Sequence, residues 1–125
     1  SAIMQCEKER EDSLILRCKD GITRIGLRML EYCEVNHRTL FIHLVGGKIL
    51  ESIGSLDELS RQLELYGYFL RPHRSYLINL DHVQNLTYHS ITMASSAQIP
   101  LARGKYQEVK DAYLKRALTS HSVML

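Results

Sequence analysis

The 125-residue chain carries 16 Lys and Arg against 14 Asp and Glu, a formal net charge of +2, with 45% hydrophobic and 24% charged residues. That length suits one domain able to bury a core without metals or disulfides, and the composition is ordinary for a globular chain and argues against a disordered tail. No apolar run approaches the roughly 20 residues that cross a bilayer, the longest candidate, Thr39–Val45, having seven.

In chain order, Ser1–Asp12 is charge-dense, with Glu7, Lys8, Glu9, Arg10, Glu11 and Asp12 in succession. It reads as a linker in which Ser1-Ala2 is an expression remnant. A domain is expected over residues 13–118, followed by a tail at 119–125. Ser13–Cys18, a turn at Asp20-Gly21 and Ile22–Ile25 form a hairpin signal, because Gly accepts positive φ and Asp tolerates it. Leu27–Leu30 predicts a short helical turn and Glu31–Val35 a strand, closed by the polar break Asn36-His37-Arg38. Thr39–Val45, Gly46-Gly47 and Lys48–Ile53 predict a second hairpin with a two-glycine turn.

Ser55-Leu56-Asp57-Glu58 is a capping box, in which the serine hydroxyl accepts from the Glu58 amide. Leu56, Leu59, Leu63 and Tyr66 follow at spacings of 3, 4 and 3, one face of a helix that Gly67 ends. Phe69–Leu80 is mixed. Strands are expected at His82–Thr87, Ser90–Met93 and Gln98–Leu101, the last at a sheet edge because Pro100 lacks an amide donor. A final helix from about Gly104 to Leu118 carries Tyr106, Val109, Tyr113 and Ala117 on one stripe. The total is about seven or eight strands and two helices, a mainly β (α+β) chain.

Catalytic chemistry has little support. The chain lacks a Gly-rich phosphate loop, a G-x-S-x-G elbow and an H-E-x-x-H pair. A metal-dependent enzyme would have to use His82 and His89, opposed across a hairpin, yet ligand sets bring carboxylate or thiolate neighbours. No catalytic residue, metal or cofactor is expected. Cys6, Cys18 and Cys33 cannot all pair and form no CxxC, which fits reduced thiols in a cytoplasmic protein.

Charge distribution is more informative. Residues 1–64 hold 9 basic and 11 acidic side chains, and residues 65–125 hold 7 and 3, so the balance moves from −2 to +4. A basic half beside an acidic half suits a chain presenting one face to a polyanion. Three basic breaks stand at element junctions: Asn36-His37-Arg38, His73-Arg74-Ser75 and Arg103-Gly104-Lys105. The planar fork of Arg can donate two hydrogen bonds to guanine N7 and O6, whereas His, Ser and Asn reach phosphate or base edges. Residues 71–79 hold two Arg, one His and no acid, so nothing local neutralises Arg74. The last helix, over residues 102–118, adds Lys110, Lys115 and Arg116. The basic residues at its start lie where amides attract phosphate, and Lys115 and Arg116 complement the dipole at its end.

The block Phe69-Leu70-Arg71-Pro72-His73-Arg74-Ser75-Tyr76-Leu77-Ile78-Asn79-Leu80, then His82-Val83-Gln84-Asn85-Leu86, resembles the core signature of the LytTR DNA-binding domain. That signature is an aromatic, an Arg, a His, a Ser, an aliphatic pair and Asn-Leu before a strand. Ile99-Pro100-Leu101-Ala102-Arg103 before a helix is similar to the closing strand of that family, and Ser55-Leu56-Asp57-Glu58-Leu59 resembles its helix start. The resemblance spans Ser13 to Leu118.

It implies an elongated arrangement of small antiparallel sheets with two short helices, binding promoter DNA through loops in the major groove. Family members are output domains of bacterial two-component response regulators. They follow a phosphoacceptor receiver domain, bind in pairs on imperfect tandem repeats and bend the duplex. Carried onto this chain, the resemblance makes His37 or Arg38, Arg74 and Arg103 base contacts. Asn36, Arg71, His73, Ser75 and Lys105 are expected at phosphates, and Asn79 is expected to bond backbone near the Arg74 loop. The chain departs from the pattern at Ala102, where Ser or a β-branched residue is frequent, and at Val35-Asn36-His37-Arg38 in place of a Gly-Asn-Tyr sequence. A receiver does not fit within 125 residues, so the chain is expected to be an excised output domain or a free-standing regulator, the polar Ser1–Asp12 favouring excision. The competing reading is a protein-interaction module without DNA binding, using the sheet edge near Pro100 and exposed tyrosines.

Overall fold

Leu14 and Leu16 in Ser13–Cys18, and Leu40, Ile42 and Leu44 in Thr39–Leu44, recur at every second position, the period that buries one face of a strand, and both segments are strands with alternating burial. The computed structural model describes residues 12–120 and 122–125. The linker reading of residues 1–11, together with Cys6 and His121, lies outside the described residues.

Ten strands and two helices follow in order: β1 (Ser13–Cys18), β2 (Gly21–Gly26), β3 (Leu30–Asn36), β4 (Thr39–Leu44), β5 (Ile49–Ile53), α1 (Leu56–Leu63), β6 (Phe69–His73), β7 (Tyr76–Asn79), β8 (Val83–Leu86), β9 (Ser90–Met93), β10 (Gln98–Pro100) and α2 (Tyr106–Thr119). Single 3₁₀ turns lie at Leu27–Met29, Glu64–Tyr66 and Leu80–His82. Seven strands form one antiparallel sheet in the order β2-β1-β5-β4-β3-β7-β6, and three form a second, β10-β9-β8. The mainly β class with two helices is as the sequence predicts, and β10 is an edge strand as Pro100 requires.

Two apolar cores flank the large sheet. On one face Leu56, Leu59 and Leu63 of α1 pack against Leu14, Leu16, Ile25, Cys33, Leu40, Ile42 and Leu77. Burying each such leucine contributes about 1.5–3 kcal/mol. On the other face Tyr32 and Ile78 pack against Ile91, Met93, Ile99 and Val109, which belong to the small sheet and α2. β3 and β7 therefore face a core on both sides. Toward β1, β2 and β5 none of the described residues covers this second face, and Ile22 and Ile53 are 74% and 78% exposed.

The α1 cap forms as read, the Ser55 hydroxyl accepting from the Glu58 amide at 3.4 Å. Gly67 ends the segment at φ 75°. Tyr66 leaves the apolar stripe because the chain tightens into a 3₁₀ turn after Leu63. The turn after β1 is Lys19-Asp20, with Gly21 already paired to Cys18. The turn after β4 spans Val45 to Lys48 rather than two glycines, because the Val45 amide donates to the Met29 carbonyl at 2.8 Å and leaves the ladder. His82 and His89 do not face each other: β8 pairs Val83 with Met93 and Leu86 with Ile91, which leaves the two histidines at opposite ends of the hairpin. His82 Nε2 instead donates to the Arg28 carbonyl at 2.7 Å.

Burial, with the Glu34 and Glu31 carboxylates, pushes the Tyr32 phenol up to about 12. Burial, reinforced by Glu34, pushes the Cys33 thiol up to about 12 as well. The unfolded chain ionises these groups near their ordinary values while the folded chain keeps them neutral. Their contribution to stability is complete below the unfolded values and is lost as pH rises toward the folded ones. We expect the urea midpoint to fall between about pH 9 and pH 11. Tyr32→Phe should weaken that dependence, and an unchanged pH slope in Tyr32→Phe would contradict the assignment.

Candidate functional site

Turn chemistry brings the basic breaks to one end of the large sheet. Asn36 pairs with Thr39, so His37 and Arg38 alone make the β3–β4 turn. His37 takes φ 59°, a value that glycine ordinarily supplies at the first position of such turns and that strains a side chain with a Cβ. Beside it, the Val35 amide donates to the Ser75 carbonyl at 3.0 Å and ties this hairpin to the β6–β7 turn. The Gly54 amide donates to the Arg38 carbonyl at 3.5 Å, which brings the start of α1 to the same place.

The β6–β7 turn is built around Arg74. Pro72 lies where the β6–β7 register shifts, on the edge strand of the sheet, so its missing amide costs no ladder bond. His73 Nδ1 accepts from the Ser75 amide at 3.1 Å and its ring meets Tyr76 edge-on. The Arg71 guanidinium donates both to the Asp57 carboxylate and to the Arg74 carbonyl. On the other side of β6 the Ala102 amide donates to the Pro72 carbonyl at 2.9 Å, so the β10–α2 connection, with Arg103 and Gly104 at its turn, runs alongside.

His37, Arg38, Arg71, Arg74 and Ser75 thus line one open cleft of about 470 Å³, together with Gly54, Ser55 and Asp57. Asn36 is exposed at its rim, next in chain to His37. Arg103 does not line that cleft but is held beside it through Pro72. Lys105 follows and pairs with Glu108 at 3.0 Å. Arg38, Arg74 and Arg103 are exposed, and among the described residues no carboxylate pairs with any of them. Such guanidinium groups can offer paired donors to an external acceptor.

Two residues behave differently from the sequence reading. Asn79 is wholly buried and bonds backbone, as the resemblance implies, but at the far end of β7. Its amide donates to the Leu30 carbonyl at 3.0 Å and its oxygen accepts from the Asp81 amide at 2.9 Å. Arg116 does more than complement a helix end, since it grips Asp81 with two hydrogen bonds at 2.8 and 2.9 Å and lies over the Tyr68 ring. The part that Asp57 plays in the cleft is not visible in the sequence. Asp57 was legible only as a helix-start acid, and its pairing with Arg71, 14 residues on, comes from tertiary structure. Among the described residues no group of three His, Cys, Asp or Glu is placed to hold a metal, and no helix is long and apolar enough to cross a membrane.

Comparison with known proteins gives a consistent picture. The family described as the LytTr DNA-binding domain matches residues 20–114. The chain is 29% identical over 80 residues to the sensory transduction protein LytT of Oceanobacillus iheyensis, covering 64% of this chain and 32% of that protein. The chain therefore spans about a third of that relative. A solved LytTr DNA-binding domain of a methyl-accepting/DNA response regulator from Bacillus cereus shares the fold, with TM-score 0.66 and 19% identity. That match covers 84% of this chain and 98% of the solved one.

The wall of the cleft that α1 provides depends on its cap. Ser55→Ala is expected to lower unfolding free energy in urea by about 1 kcal/mol, and Ser55→Asp, which still accepts from the Glu58 amide, to retain most of it. Equal losses in the two variants would exclude the cap as the cause.

Proposed function

Because the chain belongs to the LytTr DNA-binding domain family, we propose that it binds double-stranded DNA sequence-specifically, entering the major groove with loops from one end of its large sheet. The observation that carries this reading is the set of exposed arginines, Arg38, Arg74 and Arg103. They come from three separate chain segments that backbone hydrogen bonds hold side by side, free of carboxylate partners among the described residues. An arginine already paired within the protein has few donors left for a base. These three keep theirs.

In this reading Arg74 donates to a guanine edge from the middle of the site, the β3–β4 turn reads through His37 or Arg38, and Arg103 reads from the flanking loop. Asn36, His73, Ser75 and Lys105 fix register on phosphates. Arg71, whose guanidinium is engaged by Asp57 and the Arg74 carbonyl, stands behind them. The relatives' descriptions as a sensory transduction protein and part of a response regulator support a place in bacterial two-component signalling. We place the chain as the output part of such a cytoplasmic regulator, with a receiver domain in the longer protein, binding in pairs on tandem promoter repeats.

Selection of bound sequences from a random duplex pool at two salt concentrations tests the proposal. Arg74→Ala should lose about 1–3 kcal/mol for the selected site and relax preference at one position. An unchanged binding profile would remove Arg74 from the interface. Between His37→Ala and Arg38→Ala, the variant that alters the selected sequence identifies the reader in that turn. Lys105→Ala should weaken all sequences alike and reduce the slope of log K against log salt by about one at most, because Glu108 already holds part of its charge. An unaltered slope would rule out a phosphate contact.

A further inference from the structure

We propose that the Asp57–Arg71 ion pair is a positioning device that aims Arg74, so that an acid inside a basic cleft raises sequence-specific affinity instead of lowering it. The inference rests on the DNA-binding reading above and names two specificity-determining residues within it. It gives Arg71 a positioning role in place of the expected phosphate contact.

The carboxylate of Asp57 is 77% exposed in a cleft that it shares with Arg38 and Arg74. Facing a polyanion, such a charge is repelled by every phosphate that approaches. Its effect on the helix start is not distinctive, since Glu58 supplies a second acid in the same turn of α1. What Asp57 alone does is hold Arg71. The Arg71 guanidinium bridges α1 to the β6–β7 turn, one part on the Asp57 carboxylate and another on the Arg74 carbonyl. The rest of that turn is fixed from the opposite side, where Ser75 bonds His73 through its amide and Val35 through its carbonyl. The Arg74 carbonyl is the remaining handle on the peptide plane that follows Arg74. With Asp57 gone, Arg71 has one anchor inside the protein and a free cation beside the nearest phosphate.

The two roles open to Asp57 make opposite predictions for Asp57→Asn, which keeps shape and removes charge. If the carboxylate only repels DNA, the variant binds both the selected duplex and a random duplex more tightly, and their ratio is unchanged. If it positions, affinity for the selected duplex falls by roughly tenfold while random-duplex affinity holds or rises, so the ratio collapses. Arg71→Lys keeps the charge but replaces a two-pronged fork with a point donor, and should lower the ratio as well. Asp57→Glu, which restores the charge, should recover most of it. These affinities are to be measured by fluorescence anisotropy at fixed salt on variants that melt cooperatively. A ratio at or above the wild-type value in Asp57→Asn, or in Arg71→Lys should the first variant fail to fold, overturns the inference. Failure of the wild-type chain to prefer its selected duplex would overturn the DNA-reading proposal itself and this inference with it.

Discussion

Everything at the cleft end of the large sheet depends on β3 and β7 being buried on both faces. Consecutive residues of each strand serve different cores: Cys33 and Leu77 face α1, while Tyr32 and Ile78 face the small sheet and α2. A slip of one residue in either strand would exchange the two sets, and in β3 it would put a large phenol where a thiol fits. The register is therefore held from both sides, and with it the positions of the turns that the strands feed. Buried polar groups complete the constraint. Asn79 joins the end of β7 to Leu30, and the Glu31 carboxylate, on a residue 3% exposed, accepts from the Ser95 amide at 2.8 Å and fixes the β9–β10 turn.

Arginine number says less about the interface than arginine partnership. Arg116 and Arg74 both belong to the basic half of the chain. Arg116 is clasped by Asp81 against an aromatic ring and ties α2 to the end of β7. Arg74 projects from a two-strand turn without a carboxylate partner among the described residues. Arg71 lies between these cases, since its cation is paired but serves the turn that carries Arg74. Loops on a rigid scaffold are where recognition residues are expected, and here the scaffold includes one charged side chain as well as main chain.

Periodic and local features were legible in the sequence: the Ser55 cap, the leucine stripe of α1, the edge position of Pro100 and the three basic breaks. All are set within a few residues by backbone chemistry. Features that failed to show were those fixed by distant partners. Gly46-Gly47 signals a two-residue turn, but the Met29 carbonyl takes the Val45 amide and widens it. The acid-free stretch of residues 71–79 does not reveal that Arg71 is paired, because Asp57 arrives from α1. The resemblance gave Asn79 a structural part but at the wrong end of its strand, since spacing alone does not reveal that β7 pairs with β3.

The spacing of the three exposed arginines, the proposed readers, is carried by main-chain bonds. Val35 to Ser75, Gly54 to Arg38 and Ala102 to Pro72 link the four segments at the cleft end of the sheet, and none of these bonds uses a side chain of Arg38, Arg74 or Arg103. Substituting one of these arginines leaves the distances between loops unchanged, so on the proposed reading base preference can shift without repacking the domain. The cost of such modularity is looseness within each loop, because a backbone held only at its ends leaves the side-chain direction free. At His37 the turn answers this with a strained φ, and at Arg74 with the guanidinium of Arg71 on the Arg74 carbonyl itself. The two devices differ in what they tolerate: a strained turn accepts any residue that bears a positive φ, whereas the Arg71 bridge requires Asp57 as well. The scaffold thus leaves the first loop free to vary by itself and binds the second to a residue on α1.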